Sequence, residues 1–221
     1  MNVLLAVLWK DLVTEWRSRD RAVAMLLFSL LVVVIFHFAL PGGATERTRV
    51  MAPGLLWVAY VFAAVLGLNR AFSVELENDA LAGLALVPAD RGWVFLGKAI
   101  ANFLILGVVQ AITAAVFVLV FDLDWIGAGW RLAGVVALGS LGLCSIGTLF
   151  AAVAVRTRFR EVMLPLLLLP LLVPVISGAV RATSDLLLTG ELAFEPIQLL
   201  LVSDAIYLVI SFVGFEFVLD E

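Results

Sequence analysis

Cysteine and histidine are almost missing: Cys144 and His37 each stand alone in 221 residues. One thiol excludes an internal disulfide and a thiolate metal cluster, and it leaves the redox compartment unread. No His/Cys/Asp cluster has metal-site spacing, and no nucleophile is paired with a base. Charge is scarce as well. The 14 basic and 18 acidic residues make up 14% of the chain, against roughly one-quarter in soluble domains. An ordinary soluble fold is thereby excluded, and the 64% hydrophobic fraction points to lipid as the solvent. The net charge of −4 carries little information, because in a membrane protein the position of charges matters more than their sum.

What the chain has instead is apolar length. Crossing the hydrocarbon core takes roughly 20 apolar residues in a helix, since every backbone N–H and C=O must be satisfied within the segment. Six runs approach that length: Ala22–Leu40, Met51–Leu68, Ala99–Phe121, Leu132–Val155, Val162–Val180 and Gln198–Leu219. With the N-terminus in the cytoplasm, the inner segments hold Lys10, Arg17, Arg19, Arg21, Arg70, Arg91, Lys98, Arg156, Arg158 and Arg160, and the outer ones Arg47, Arg49, Arg131 and Arg181. Ten against four follows the positive-inside bias, and six spans return the C-terminus to the cytoplasm. In the first residues, "MNVLLAVLWKDLVTEWRSRDR", the charges follow a short apolar run, the reverse of signal-peptide order, so the whole chain is expected to be retained.

Details along the chain refine this all-α, six-span reading of 1–221 as a single transmembrane domain. From Asn2 to Asp20, Val3, Leu4, Leu8, Leu12 and Trp16 recur at helical spacing, which suits an interfacial amphipathic helix; a straight extension of the first span has the same periodicity. The fourth span is rich in small residues, "GSLGLCSIGT" from Gly139 to Thr148, and is expected at the centre of the bundle. Pro165, Pro170 and Pro174 fall in the fifth span, where each removes a backbone donor and predicts a broken or kinked helix. The connection at 181–197 is apolar enough to be either re-entrant or an ordinary outer loop.

Polar groups within the apolar runs are the candidate functional residues. Asp204 is an intramembrane carboxylate, costly and therefore a functional candidate, with an interhelical hydrogen bond or a slightly later helix start as the plainer readings. Asn69, Asn102, Gln110 and Thr113 are expected to stitch helices together. A lone histidine could ligate haem axially, but His37 has no second histidine or nearby methionine to join it and reads as an interface or hydrogen-bonding group. "GWVFLGKA" at Gly92–Ala99 has the glycine and lysine spacing of a phosphate loop. It lacks the terminal Ser or Thr and any preceding strand, so Lys98 reads as an anchor reaching the interface and no nucleotide site is expected.

The most polar stretch is "RAFSVELENDALAGLALVPADR", Arg70–Arg91. Ser73 is a possible helix cap, Glu75, Glu77 and Asp79 suit the first turns by the helix dipole, and Leu76, Ala80 and Leu84 form one stripe ending at Pro88. A short amphipathic helix over 73–87 on the cytoplasmic face suits docking into a partner's groove; a solvated linker is the alternative.

"MAPGLLWVAYVFAAVLGLNRAF" followed by "ELENDALAGLALVP" resembles the signature of the cytochrome c maturation protein B family, the membrane subunit of the so-called haem exporter. Length, six spans and the proline-rich fifth span agree over essentially the whole chain. The matching residues are Arg70, Phe72, Glu75, Glu77, Leu81, Leu84, Leu86 and Pro88; an acid the family carries at position 82 is Ala82 here.

The resemblance implies an ABC-2-type permease of the bacterial inner membrane without catalytic residues, whose coupling helix docks on a separate ATPase, cytochrome c maturation protein A. Membrane subunits C and D and, indirectly, the periplasmic haem chaperone E are the further implied partners. ATP is bound by the ATPase, haem is handled by the complex, and no nucleic acid takes part. Pro165, Pro170, Pro174 and Asp204 remain candidate intramembrane functional residues. Two other readings fit the same architecture: a permease for lipid-linked glycans or drugs, and a non-transporting membrane scaffold.

Overall fold

The structure, a computed structural model, describes residues 3–40, 46–77, 90–122, 129–155, 157 and 159–220. Every regular element among them is an α-helix: α1 (Val3–Ser18), α2 (Asp20–Ala39), α3 (Glu46–Glu77), α4 (Arg91–Phe121), α5 (Gly129–Val155), α6 (Arg160–Thr189) and α7 (Phe194–Asp220). Helices α2 to α7 are each long and apolar enough to cross a bilayer. The six-span architecture expected from the apolar runs is thus present, with some boundaries moved.

α4 begins at Arg91 rather than Ala99, because the Asp90 carboxylate accepts the Gly92 N–H at 2.9 Å and caps the helix there. α3 runs unbroken to Glu77, so Ser73 lies inside it; the remainder of the 73–87 segment lies outside the described residues. α6 continues through residues 181–189, which belong to the connection drawn as a loop or re-entrant segment, and stops at Gly190. That glycine adopts φ 74° and donates its N–H to the Leu186 carbonyl, a helix stop that suits glycine.

The three prolines do not break α6, which is one helix from Arg160 to Thr189. The Tyr207 hydroxyl of α7 donates to the Leu171 carbonyl, next to the Pro170 carbonyl that Pro174 leaves without its helical donor.

α5 is the hub, in contact with α3, α4, α6 and α7. Its small residues are buried and let the backbones approach. A Cβ at Gly139 would strike the Trp57 indole, one at Gly147 the Leu68 side chain, and one at Gly142 the Asp204 carboxylate. At the chain start, α1 is not an extension of α2. Arg19 adopts the left-handed conformation between them (φ 56°), and α1 lies instead along α4, where Gly97 admits the Leu4 carbonyl and Val7. Trp9 and Trp16 project outward from α1.

One end of the bundle gathers the start of α2, the end of α3, the start of α4 and the end of α7. Arg70 Nη1 donates to the Asp20 carbonyl at 3.3 Å and Arg91 Nη1 to the Glu216 carbonyl at 3.1 Å. At the opposite end Arg131 Nη1 donates to the Gly190 carbonyl at 3.1 Å.

Candidate functional site

The end of the bundle that leads into the polar segment is knitted by charge. Lys98, read from the sequence as an anchor reaching the interface, is 2% exposed. Its Nζ donates to Asp11 Oδ2 at 3.2 Å and lies 4.7 Å from the Phe72 ring centroid. A buried ammonium needs a counter-charge, and α1 supplies it from 87 positions away. Asp11 also meets Lys10 at 3.1 Å.

Phe72 belongs to the predicted docking set, and the structure turns it inward, 1% exposed beneath Lys98. Arg70 is exposed at the helix surface and reaches α2. Glu75 and Glu77 occupy the last turns of α3, while Leu81, Leu84, Leu86 and Pro88 lie outside the described residues.

A second chain of contacts starts at Glu15. One carboxylate oxygen accepts the Ala22 N–H at 2.8 Å, satisfying a donor in the first turn of α2, and the other accepts Arg21 Nε at 2.8 Å. Arg21 Nη1 continues to Asn102 Oδ1 at 2.9 Å, and Asn102 Nδ2 donates to Thr148 Oγ1 at 3.0 Å. Four helices, α1, α2, α4 and α5, are joined by this single line. Sequence reading counted Arg21 only as a loop charge, and no local signal marks it as the centre of this line.

Deeper in the bundle the stitching polar residues find partners. Ser29 and Thr113 hydroxyls are 2.7 Å apart, Ser140 Oγ donates to Gln110 Oε1 at 2.9 Å, and the Tyr60 hydroxyl donates to the Gln110 carbonyl at 3.1 Å. Trp57 Nε1 donates to Thr183 Oγ1 at 3.0 Å, and the Trp57 and Tyr60 rings meet edge to face. Such interhelical bonds are worth about 0.6 kcal/mol on average in a membrane, so together they set register more than they supply stability.

Two predicted residues stand apart. His37 is exposed at the end of α2 and packs its ring edge-on against Phe121 and Phe38. Asp204 is 3% exposed on α7, and neither carboxylate oxygen receives a hydrogen bond. The carboxylate lies instead against the α5 backbone at Gly142. Of the three prolines, Pro165 and Pro174 are half-buried and Pro170 is exposed on the α6 surface.

Chemically, the arrangement ties helices together. Among the described residues no group of three or more His, Cys, Asp and Glu is placed to hold a metal ion. The cavity beneath Arg21, lined by Met25, Gly67, Leu68, Asn102 and Cys144, is about 10 Å³, room for one water molecule and far too small for a porphyrin.

Six apolar helices closed around a small-residue hub, with charged ties confined to their ends, define a multi-pass integral membrane protein. Residues 2–215 match the model of the CcmB protein family, and the chain belongs to that family. Similar curated proteins carry the name "Heme exporter protein B". That of Paracoccus denitrificans is 34% identical over 76% of this chain and 77% of its own length. That of Bradyrhizobium diazoefficiens is 28% identical over 96% and 94%. That of Haemophilus influenzae is 28% identical over 79% and 78%.

Proposed function

We propose that this chain is the membrane subunit of an ATP-driven haem exporter acting in c-type cytochrome biogenesis, in the bacterial inner membrane with both termini cytoplasmic. The observation that carries the reading is the family match across residues 2–215, which takes in all six spans, joined to the name its relatives share. The ten-to-four distribution of basic residues supports the orientation.

In this reading the chain itself performs no bond chemistry. ATP is hydrolysed on a separate subunit, cytochrome c maturation protein A, which docks on the segment from Arg70 to Pro88. The driven step is haem export or release of the haem-loaded periplasmic chaperone E, beside subunits C and D.

The geometry supplies a route for the motion. A push on the docking segment enters at the end of α3, where Phe72 bears on Lys98 of α4 and, through Asp11, on α1. Arg70 and the line from Glu15 to Thr148 extend the same tie to α2 and α5. The cytoplasmic ends of five helices then respond as one body, as a two-state transition of packed elements requires.

The test is complementation. Expressed in a bacterium lacking its heme exporter protein B, the chain restores c-type cytochromes. Membrane insertion and ATPase binding without restoration would assign the fold to another cargo.

A further inference from the structure

Asp204 lies about 15 Å along α7 from its start at Phe194, by the helical rise, and is buried where α7 meets α5 and α6. Its Oδ1 presses on the α5 backbone at Gly142, beside Val175 of α6. Apart from the Gly142 backbone it presses on, neither oxygen has a hydrogen-bonding partner among the described residues, and the Ser211 hydroxyl, two turns on along the same face, has none either. The nearest hydroxyl-bearing ring, Tyr207, commits its O–H to the Leu171 carbonyl.

The helices packed on α7 are α4, α5 and α6, and none brings a charge to this depth. α4 has no charged residue from Ala99 to Phe121, and Arg91 and Lys98 sit at its far end, beside Glu216 and Asp11. α5 offers Cys144 and, about 16 Å from Gly142 along the helix, Arg131, which bonds the Gly190 carbonyl. α6 has no charged residue from Val162 to Val180; Arg181 and Asp185 come later, and Arg181 faces outward. On α7 itself Glu195 and Glu216 are near the two ends.

We propose that Asp204 is a proton-binding site of the bundle, occupied in the packed arrangement described above and emptied only when α7 parts from α5 at Gly142. An ionised carboxylate in an apolar seam, with no cation at its depth, is too costly to persist, and the group takes up a proton instead. A metal ion needs a shell of several oxygen ligands, and among the described residues no further acid, histidine or cysteine joins Asp204 in a group that could hold one. A proton needs no shell. Because the ionised form demands water or a donor, proton release and separation of the α5–α7 seam are one event, and each biases the other. Raising pH favours the parted arrangement, and Asp204→Asn holds the seam closed at every pH. The inference rests on packing alone and is independent of what cargo the complex handles.

The test uses the full chain in lipid bilayers at neutral pH. Infrared spectra in heavy water contain a protonated-carboxyl stretch that shifts on isotopic labelling of aspartate and disappears in Asp204→Asn. Dicyclohexylcarbodiimide, which adds acids across its N=C=N bond, places an adduct on Asp204 of the unsubstituted chain in a yield that falls as pH rises and ignores Na⁺. Absence of an aspartate band would overturn the proposal even if the Asn variant failed to fold. Protection of Asp204 by Na⁺ at fixed pH would overturn it in favour of a metal cation.

Discussion

The ammonium of Lys98 lies 4.7 Å from the centroid of the Phe72 ring, with both side chains sealed inside the bundle. This contact binds the end of α3 to α4, and the Asp11 carboxylate on the other side of Lys98 binds both to α1. Asp11→Asn takes a carboxylate away from this buried cation and is expected to cost up to about 3 kcal/mol. Lys98→Met, which removes charge and desolvation together, is expected to cost less. Phe72→Leu forfeits the ring face, worth about 1–2 kcal/mol. Unfolding of the purified variants in mixed micelles measures all three; a cost for Lys98→Met above that for Asp11→Asn would contradict the assignment.

Glu15 does two jobs, accepting the Ala22 N–H and pairing with Arg21. Glu15→Gln keeps an acceptor for the N–H and gives up the charge, whereas Glu15→Ala gives up both. The expected order is alanine worse than glutamine by about 1 kcal/mol. The same unfolding measurement checks it, and equal losses would show that the cap is worth nothing.

Sequence periodicity and length made the six spans legible, and the small residues from Gly139 to Thr148 placed α5 at the centre, where it lies. Asn102, Gln110 and Thr113 were legible as stitches for the same reason: a polar group in an apolar run needs a partner. What failed was pairing over distance. Lys98 reads as an anchor because nothing local tells that Asp11 pairs with it, and the helix that carries it starts earlier, at Arg91, under the Asp90 cap. The three prolines predict a broken or kinked helix, and the structure has one unbroken helix from Arg160 to Thr189.

The glycines of α5 divide by what surrounds them. Gly139 faces the Trp57 ring and Gly142 the Asp204 carboxylate, while Gly134 has open space. Gly139→Ala and Gly142→Ala overpack the seam and are expected to lose about 1–3 kcal/mol. Gly134→Ala should be neutral or gain up to about 1 kcal/mol from helix propensity. Thermal inactivation in detergent separates the two classes, and a destabilised Gly134→Ala would contradict the packing.

Tyr207 serves the Leu171 carbonyl, one residue from the Pro170 carbonyl that Pro174 leaves without its helical donor, so the two are expected to be energetically coupled. Tyr207→Phe alone is expected to cost about 1 kcal/mol. In a Pro174→Ala background, where the helix satisfies more of its own carbonyls, the same change should cost measurably less. A double-mutant cycle on thermal stability reads the difference; additivity would dissociate the hydroxyl from the proline.

The central claim is that the segment from Arg70 to Pro88 couples this membrane subunit to a separate ATPase. The most direct measurement is copurification of the tagged chain with the cytochrome c maturation ATPase, with hydrolysis assayed on the isolated complex, for the unsubstituted chain and for Glu75→Lys and Leu84→Asp. The account predicts that the ATPase is retained by the unsubstituted chain and lost by both variants, while their bundles keep their stability. Retention of the ATPase with unchanged hydrolysis in both variants would contradict it.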